Sequence, residues 1–228
     1  MSWFEKLGFE NNPLSIKPTQ DNELVGYEKI IQRIIYQIRI GNVIFLQGGY
    51  GTGKSSILKY VRRKFNENIL YFNCSSNRVL KNSIMNRRSA IRKLLFLRPK
   101  KMIVLIDEIH HADPKDFDFL YEYYIMDRIK SIIFAGPDFK KVPFNKAFKA
   151  DTKVYRLNEI KKNLGIEILN NRMPNQDVIS ENLANKVFTY SGSNPRMFLE
   201  NLEDLMRKIH ELGRSKLTRK DVDEFFKN

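Results

Sequence analysis

A chain of 228 residues with 42% hydrophobic and 12% aromatic content can bury a real core, as one large domain or as a medium domain with a small one. It contains no apolar stretch near the roughly 20 residues of a membrane-spanning helix, and Met1-Ser-Trp-Phe-Glu-Lys6 lacks the apolar run of a secretory signal. Forty basic against 26 acidic residues give a net charge of +14, which favours polyanionic partners, and a single cysteine, Cys74, excludes an internal disulfide and makes a reducing cytoplasm the expected compartment.

The first residues, Trp3-Phe4-Glu-Lys-Leu7-Gly-Phe9, carry aromatics with little periodicity, and Pro13 and Pro18 mark residues 10–22 as a draping loop. Ile30, Ile31, Ile34, Ile35 and Ile38 recur at helical spacing, so a helix is expected over Glu28–Ile40, with Gly41 as its C-cap. Asn42-Val-Ile-Phe-Leu-Gln47 is a short buried strand. It runs into Gly48-Gly49-Tyr50-Gly51-Thr52-Gly53-Lys54-Ser55, a complete G-x-x-x-x-G-K-[ST] phosphate loop. Ser56, Ile57, Leu58, Tyr60 and Val61 continue it as a helix to about Phe65. Strand, glycine loop and helix N-terminus make an anion cradle, because inward backbone N–H groups and the helix dipole both favour negative charge. In such a loop the lysine, Lys54, reaches the β- and γ-phosphates and the hydroxyl of Ser55 ligates Mg²⁺.

Ile69-Leu-Tyr-Phe-Asn73 reads as the second strand. Between Cys74 and Ile106 come nine bases (Arg78, Lys81, Arg87, Arg88, Arg92, Lys93, Arg98, Lys100 and Lys101) with no acid among them. Interleaved Ile84, Ile91, Leu94 and Leu95 suggest a basic amphipathic helix, which is either a grip for nucleic-acid phosphates or a solvated face. Met102-Ile-Val-Leu-Ile106 is an apolar, β-branched run of the kind that fills a central parallel strand, and it ends in Asp107-Glu108. An Asp at such a strand end holds the Mg²⁺ shell in phosphate-loop enzymes, and a following Glu can orient and deprotonate an attacking water. His110 and His111 are expected at a loop or sheet edge rather than as metal ligands, and with Cys74 they fail the ligand count of a zinc site. Asp113 as N-cap and Pro114 in the first turn open another helix. Ser131-Ile-Ile-Phe-Ala135 and Lys153-Val-Tyr-Arg-Leu157 complete five strands. Beyond residue 157 four helical segments are expected, over Glu159–Asn171, Asn175–Tyr190, Pro195–Leu212 and Thr218–Phe226, punctuated by Gly192 and Gly213. The expected fold class is therefore α/β: a phosphate-loop NTPase with a five-stranded parallel sheet flanked by helices over residues 1–157, followed by a small all-α domain over residues 158–228.

The order of these motifs resembles the AAA+ ATPases, in the branch holding origin-recognition and initiator proteins and transposition-associated ATPases. Phe9-Glu-Asn-Asn-Pro13 resembles a lead-in of that branch. Leu24-Val25-Gly-Tyr27-Glu28 resembles the segment lining the adenine pocket, with Tyr27 where an arginine is usual. The phosphate loop and Asp107-Glu108 stand as the two Walker motifs. Ser191-Gly-Ser-Asn-Pro-Arg196 resembles the sensor-2 segment of the lid, and Leu217-Thr-Arg-Lys-Asp-Val222 the start of its last helix.

The resemblance implies ATP and Mg²⁺ as ligands, with residues 48–56, Val25 and Arg196 on the nucleotide and Ser55 and Asp107 on the metal. Glu108, Lys54, Arg196 and Asp138 would be the catalytic groups. Arg196 would touch the γ-phosphate from the lid. Asp138 falls near the sensor-1 position, where Asn, Ser or Thr is usual. An arginine finger from a neighbouring subunit is expected in the family, but Phe144–Asp151 offers Lys146 and Lys149 instead, which leaves Arg156 as a substitute. Initiators of this branch carry a winged-helix domain after the lid. The chain ends with the lid at Asn228, so origin-specific recognition is not expected.

Two functions follow from the resemblance. One is an ATP-hydrolysing protein that oligomerises through its ATP site and acts on or near DNA without sequence preference, in replication initiation, recombination or transposition. The other is a slowly hydrolysing, ATP-gated adaptor that recruits a protein partner. A small-molecule phosphate-loop kinase stands behind both, because it would need an acceptor pocket that the sequence does not reveal.

Overall fold

Short β-branched runs between glycine-rich turns become strands here, and the longer 3.6-period stretches become helices. The computed structural model describes residues 2–16, 24–65, 68–76, 80–86, 101–157, 164–174 and 177–227. They group into two units: residues 1–28, 51–53 and 159–228, and residues 29–50 and 54–158.

The second unit carries a five-stranded sheet. Its strands are β1 (Val43–Gln47), β2 (Ile69–Asn73), β3 (Met102–Asp107), β4 (Ile129–Gly136) and β5 (Thr152–Arg156). All pairings are parallel, in the order β2-β3-β4-β1-β5. This confirms the expected α/β class. Position in the sheet explains each strand's composition. β3 is buried at all six residues and β4 at seven of eight, as strands covered on both faces must be. The edge strands are less covered: β2 is half-buried at Tyr71 and Asn73, and β5 is buried only at Thr152.

Helix α2 (Glu28–Arg39), after the short α1 (Trp3–Lys6), buries Ile31, Ile34 and Ile38 along one face and ends at Gly41, whose φ of +86° closes the turn. Next along this unit come α3 (Lys54–Lys64), α4 (Leu80–Asn86) and α5 (Pro114–Ile125). Asp113 caps α5 by accepting from the Lys115 N–H. A further helix, α6 (Lys146–Asp151), precedes β5, where the sequence alone assigned no element. Asn145 caps it and Phe148 anchors it. Phe117, Phe134, Phe144 and Phe148 pack on one another in the core beside the sheet, with ring centroids 4.8–6.3 Å apart.

The first unit is built on α7 (Gly165–Arg172), α8 (Glu181–Tyr190), α9 (Pro195–Glu211) and α10 (Arg219–Phe225). Helix α8 starts after Ser180, later than its expected start at Asn175, and residues 158–163 and 175–176 lie outside the described residues. Trp3 and Leu14 share this unit's core with Phe188, Phe198, Leu202 and Leu205, so the N-terminal segment belongs with these helices. Arg172 fastens it by donating to the carbonyls of Pro13 and Ser15.

Candidate functional site

The parallel sheet sends the ends of β1, β3 and β4 to one edge, where open α/β sheets bind ligands. At the end of β1, the Gly48 N–H donates to the Gly136 carbonyl at 3.2 Å, so the loop starts against the end of β4. Gly51 and Gly53 have φ of +78° and +83°, which L residues rarely adopt. Contacts enforce the same choice. A Cβ on Gly51 would lie 2.5 Å from Asn194 Oδ1 and 2.8 Å from Arg196 Cβ, and one on Gly53 would lie 3.3 Å from the Tyr27 ring. The Tyr27 hydroxyl donates to the Thr52 carbonyl, and burial pushes its pKa far up, so it stays a donor.

Lys54 opens α3 and is only 8% exposed. Its ammonium donates to the carbonyls of Gly48 at 2.8 Å and Gly49 at 2.6 Å. Burial pulls its pKa down, and the carboxylates of Glu108 and Asp107 pull it back up. The three charges therefore share one electrostatic environment, although their residues are more than fifty positions apart in sequence. The first turn of α3 holds no acidic residue, so its dipole is not compensated from within; Ser55 and Ser56 lie there half-buried. Tyr50 is 72% exposed at the loop tip.

Asp107 is buried at the last position of β3. One carboxylate oxygen accepts from the Tyr71 hydroxyl at 2.8 Å, the other from the Glu108 N–H at 3.0 Å. Tyr71 and Asp107 meet because β2 pairs with β3 in the register Asn73↔Asp107, and a step of two residues along β2 stays on the same face. Burial and then the Asp107 charge raise the Tyr71 pKa, so this phenol also remains a donor. Glu108 sits in the left-handed region, at φ 54° and ψ 44°. Such a conformation costs about 1–3 kcal/mol and persists only where the surroundings impose it. The residue after it, buried Ile109, packs so close to Gly136 that a Cβ there would lie 2.5 Å from Ile109 Cγ2.

The other expected site residues are placed as follows. Asp138, two residues past β4, caps the turn Phe139–Lys141 by accepting from the Lys140 N–H at 3.0 Å. Arg196 is the second residue of α9 in the first unit; its Nε donates to Glu200 at 3.0 Å and its N–H to Asn194 Oδ1 at 3.0 Å. Val25 is partly buried against the core of that unit. Arg156 ends β5 opposite Gln47, and Lys146 and Lys149 are exposed on α6. Of the basic run, Lys101 pairs with Asp127 and Lys81 lies over the Phe119 ring, while Arg78, Arg87, Arg88, Arg92, Lys93, Arg98 and Lys100 fall outside the described residues. Sequence reading missed three parts of this site: Tyr71, Gly136, and Tyr27 as a brace for the loop. The signal for Tyr71 was the period of two along β2, usable only once the partner strand and register are known.

These residues fit a nucleoside triphosphate with Mg²⁺. A buried ammonium hydrogen-bonded to two neutral carbonyls can exchange them for phosphate oxygens, and at Gly51 and Gly53 positive φ and close neighbours disfavour any side chain. The Ser55 hydroxyl and Asp107 carboxylate are oxygen donors of the kind Mg²⁺ takes.

A family model described as an AAA domain matches residues 41–143. No curated protein sequence matches the chain. Among solved structures, the RuvB Holliday junction branch migration motor of Thermotoga maritima is similar at a TM-score of 0.66 and 14% identity, covering 95% of this chain and 73% of that one. Domain III of the replication initiation protein DnaA, also of Thermotoga maritima, is similar at a TM-score of 0.63 and 16% identity, covering 95% and 97%. The Drosophila ORC bound to DNA is similar at a TM-score of 0.66 and 13% identity, covering 93% and 63%. Residues 41–143 thus match the AAA domain model, in a chain whose fold is similar to those of the RuvB motor, DnaA domain III and ORC.

Proposed function

We propose that this protein binds and hydrolyses ATP, oligomerises in an ATP-dependent way and acts on or near DNA without sequence preference. The observation that carries the ATPase reading is the shared environment of Lys54, Asp107 and Glu108 at one sheet edge, behind a loop whose glycines admit no side chain. Residues 1–157 would be the ATPase domain and residues 158–228 the lid.

Lys54 would exchange its two carbonyl partners for phosphate oxygens, which add negative charge to that of Asp107 and Glu108. Ser55 and Asp107 would hold Mg²⁺, which when bound supplies positive charge to the phosphate oxygens. Tyr71 fixes the Asp107 carboxylate for that task. Glu108 would orient the attacking water and take its proton. Arg196 would report on the γ-phosphate from the lid, and a neighbouring subunit would supply the cationic finger.

The net charge of +14 supports a polyanionic partner. So does a cleft of about 490 Å³ in the first unit, lined by Lys186, Tyr190, Arg219, Asp223, Phe226 and Lys227. Its exposed Tyr190 ring, 5.0 Å from Phe226 at a tilt of 57°, suits a nucleic-acid base, and Lys227 stands beside Lys186 and Arg219, which both pair with Asp223. Among the described residues no helix is long and apolar enough to cross a membrane, and a cytoplasmic location is part of the proposal.

One observation favours the second reading, a slowly hydrolysing adaptor that recruits a protein partner. Asp138 spends a carboxylate oxygen on a backbone cap. Turnover of the wild type and Glu108→Gln, together with light scattering with and without ATP and duplex DNA, separates the two. Turnover lost in the variant, with ATP-dependent assembly, supports the motor. A near-zero rate in both proteins with tight ATP binding supports the adaptor.

A further inference from the structure

The fold draws together one set of metal-ligating side chains that the proposed ATP chemistry does not use as ligands. Glu108, His110 and His111 each offer an atom, and these atoms all lie within 4.8 Å of one another. The His110 and His111 ring centroids are 4.1 Å apart, and His110 Nε2 is 3.5 Å from Glu108 Oε2. Two ligands bound at about 2.1 Å to a tetrahedral ion are about 3.4 Å apart, so the Glu108–His110 pair already has the required spacing.

The scaffold is fixed by features that owe nothing to a metal. Ile109 is buried between the ligands in sequence, and the turn is closed by the His111 N–H on the Glu108 carbonyl and the Ala112 N–H on the Ile109 carbonyl, each at 3.0 Å. The ligands themselves stay accessible, with the His110 side chain 43% and the Glu108 side chain 30% exposed, so an ion has a way in. Two imidazoles and a carboxylate select Zn²⁺ and its neighbours Co²⁺ and Ni²⁺ over Mg²⁺, which takes an all-oxygen shell.

We propose that Glu108, His110 and His111 form a transition-metal site, taking Zn²⁺ by preference, whose occupation withdraws the Glu108 carboxylate from the attacking water and stops ATP turnover. The inhibitory half rests on the ATPase reading above; the binding half does not. From sequence, His110 and His111 are expected at a loop or sheet edge rather than as metal ligands, and with Cys74 they fail the ligand count of a zinc site. The short 3₁₀ turn Ile109–His111 brings them to one side.

The test uses the full untagged chain, free of nucleotide, in Mg²⁺ buffer. Calorimetric titration with Zn²⁺ should show a single saturable ion, and Co²⁺ should give intense visible ligand-field bands. His110→Ala and His111→Ala should each weaken binding by about tenfold or more, since even outer partners of metal ligands act on that scale. Both side chains are exposed, and circular dichroism checks that the variants stay folded. A double variant that binds Zn²⁺ as tightly as the wild type overturns the site. In the activity arm, Zn²⁺ should suppress Mg²⁺-ATP turnover of the wild type and spare the double variant; equal suppression overturns the inhibitory half. A wild type without turnover in the absence of Zn²⁺ would defeat the ATPase reading, while the calorimetry would still decide the metal site.

Discussion

Tyr71→Phe removes one hydroxyl and nothing else, and it isolates how Asp107 is held. The phenol donates to a buried carboxylate at 2.8 Å. A hydrogen bond to a charged group is worth about 1.5–3 kcal/mol. At about 1.4 kcal/mol per tenfold, that is roughly a tenfold to hundredfold change in any equilibrium that depends on it. The other Asp107 oxygen keeps only the Glu108 N–H, so the carboxylate loses one of its two anchors. The assay is ATP turnover against Mg²⁺ concentration, paired with nucleotide affinity in chelator. The midpoint for Mg²⁺ should rise by about tenfold to a hundredfold, as for other second partners of metal ligands, while metal-free nucleotide binding stays as in the wild type. Thermal stability should also fall, because a buried carboxylate oxygen is left without a partner. A fall in stability with an unchanged Mg²⁺ midpoint would refute the reasoning, since Tyr71 would then serve the fold and not the metal.

Lys54→Ala should abolish nucleotide binding in calorimetry, and a variant with intact affinity would remove the loop from the site. Gly136→Ala places a methyl 2.5 Å from Ile109 Cγ2 and 3.2 Å from the Phe45 ring. Overpacking of that kind costs about 1–3 kcal/mol, or about 2–12 °C in melting temperature for a chain of this size, and turnover should fall with it because the displaced Ile109 directly follows Glu108. In the first unit, the Arg214 guanidinium, followed by the Thr218 hydroxyl and N–H, holds the Asp221 carboxyl at about 2, below its usual 3.8. Because the folded pKa is the lower one, the stabilisation is present above pH about 4 and is lost as pH falls towards about 2. Asp221→Asn should therefore flatten the acid limb of an unfolding curve over that window. Tyr190→Ala, at a 48% exposed residue, should weaken single-stranded DNA binding in fluorescence anisotropy without lowering the melting temperature; unchanged DNA affinity would remove the cleft from the nucleic-acid surface.

Much of the site was legible because its chemistry is local. Gly48–Ser55 spells a loop whose turns favour glycine and a lysine, Lys54, at the start of the following helix. The strand over Ile69–Asn73 was expected over those same residues, since a short apolar run between polar turns has few alternatives. The helix Lys146–Asp151 was not legible, because six residues held by one cap and one buried Phe148 show no period. Nor was the later start of α8, because Val178 and Ile179 extend its apolar pattern up to Ser180, whose side chain makes no capping hydrogen bond.

By itself, the amino-acid order determined the α/β class, the phosphate loop, the acidic end of β3 and the four-helix tail. Each of these is written in runs of ten residues or so, where backbone preference and burial period act directly. Only the tertiary structure decided that Tyr71 holds Asp107, that Tyr27 braces Thr52, that Glu108 takes the left-handed region beside an Ile109 packed on Gly136, and that two histidines close on that same carboxylate. These relations join segments distant in the chain, or depend on the turn between strands. The physical reason is that strand order and register, not local propensity, set which side chains share a face at the sheet's carboxyl edge.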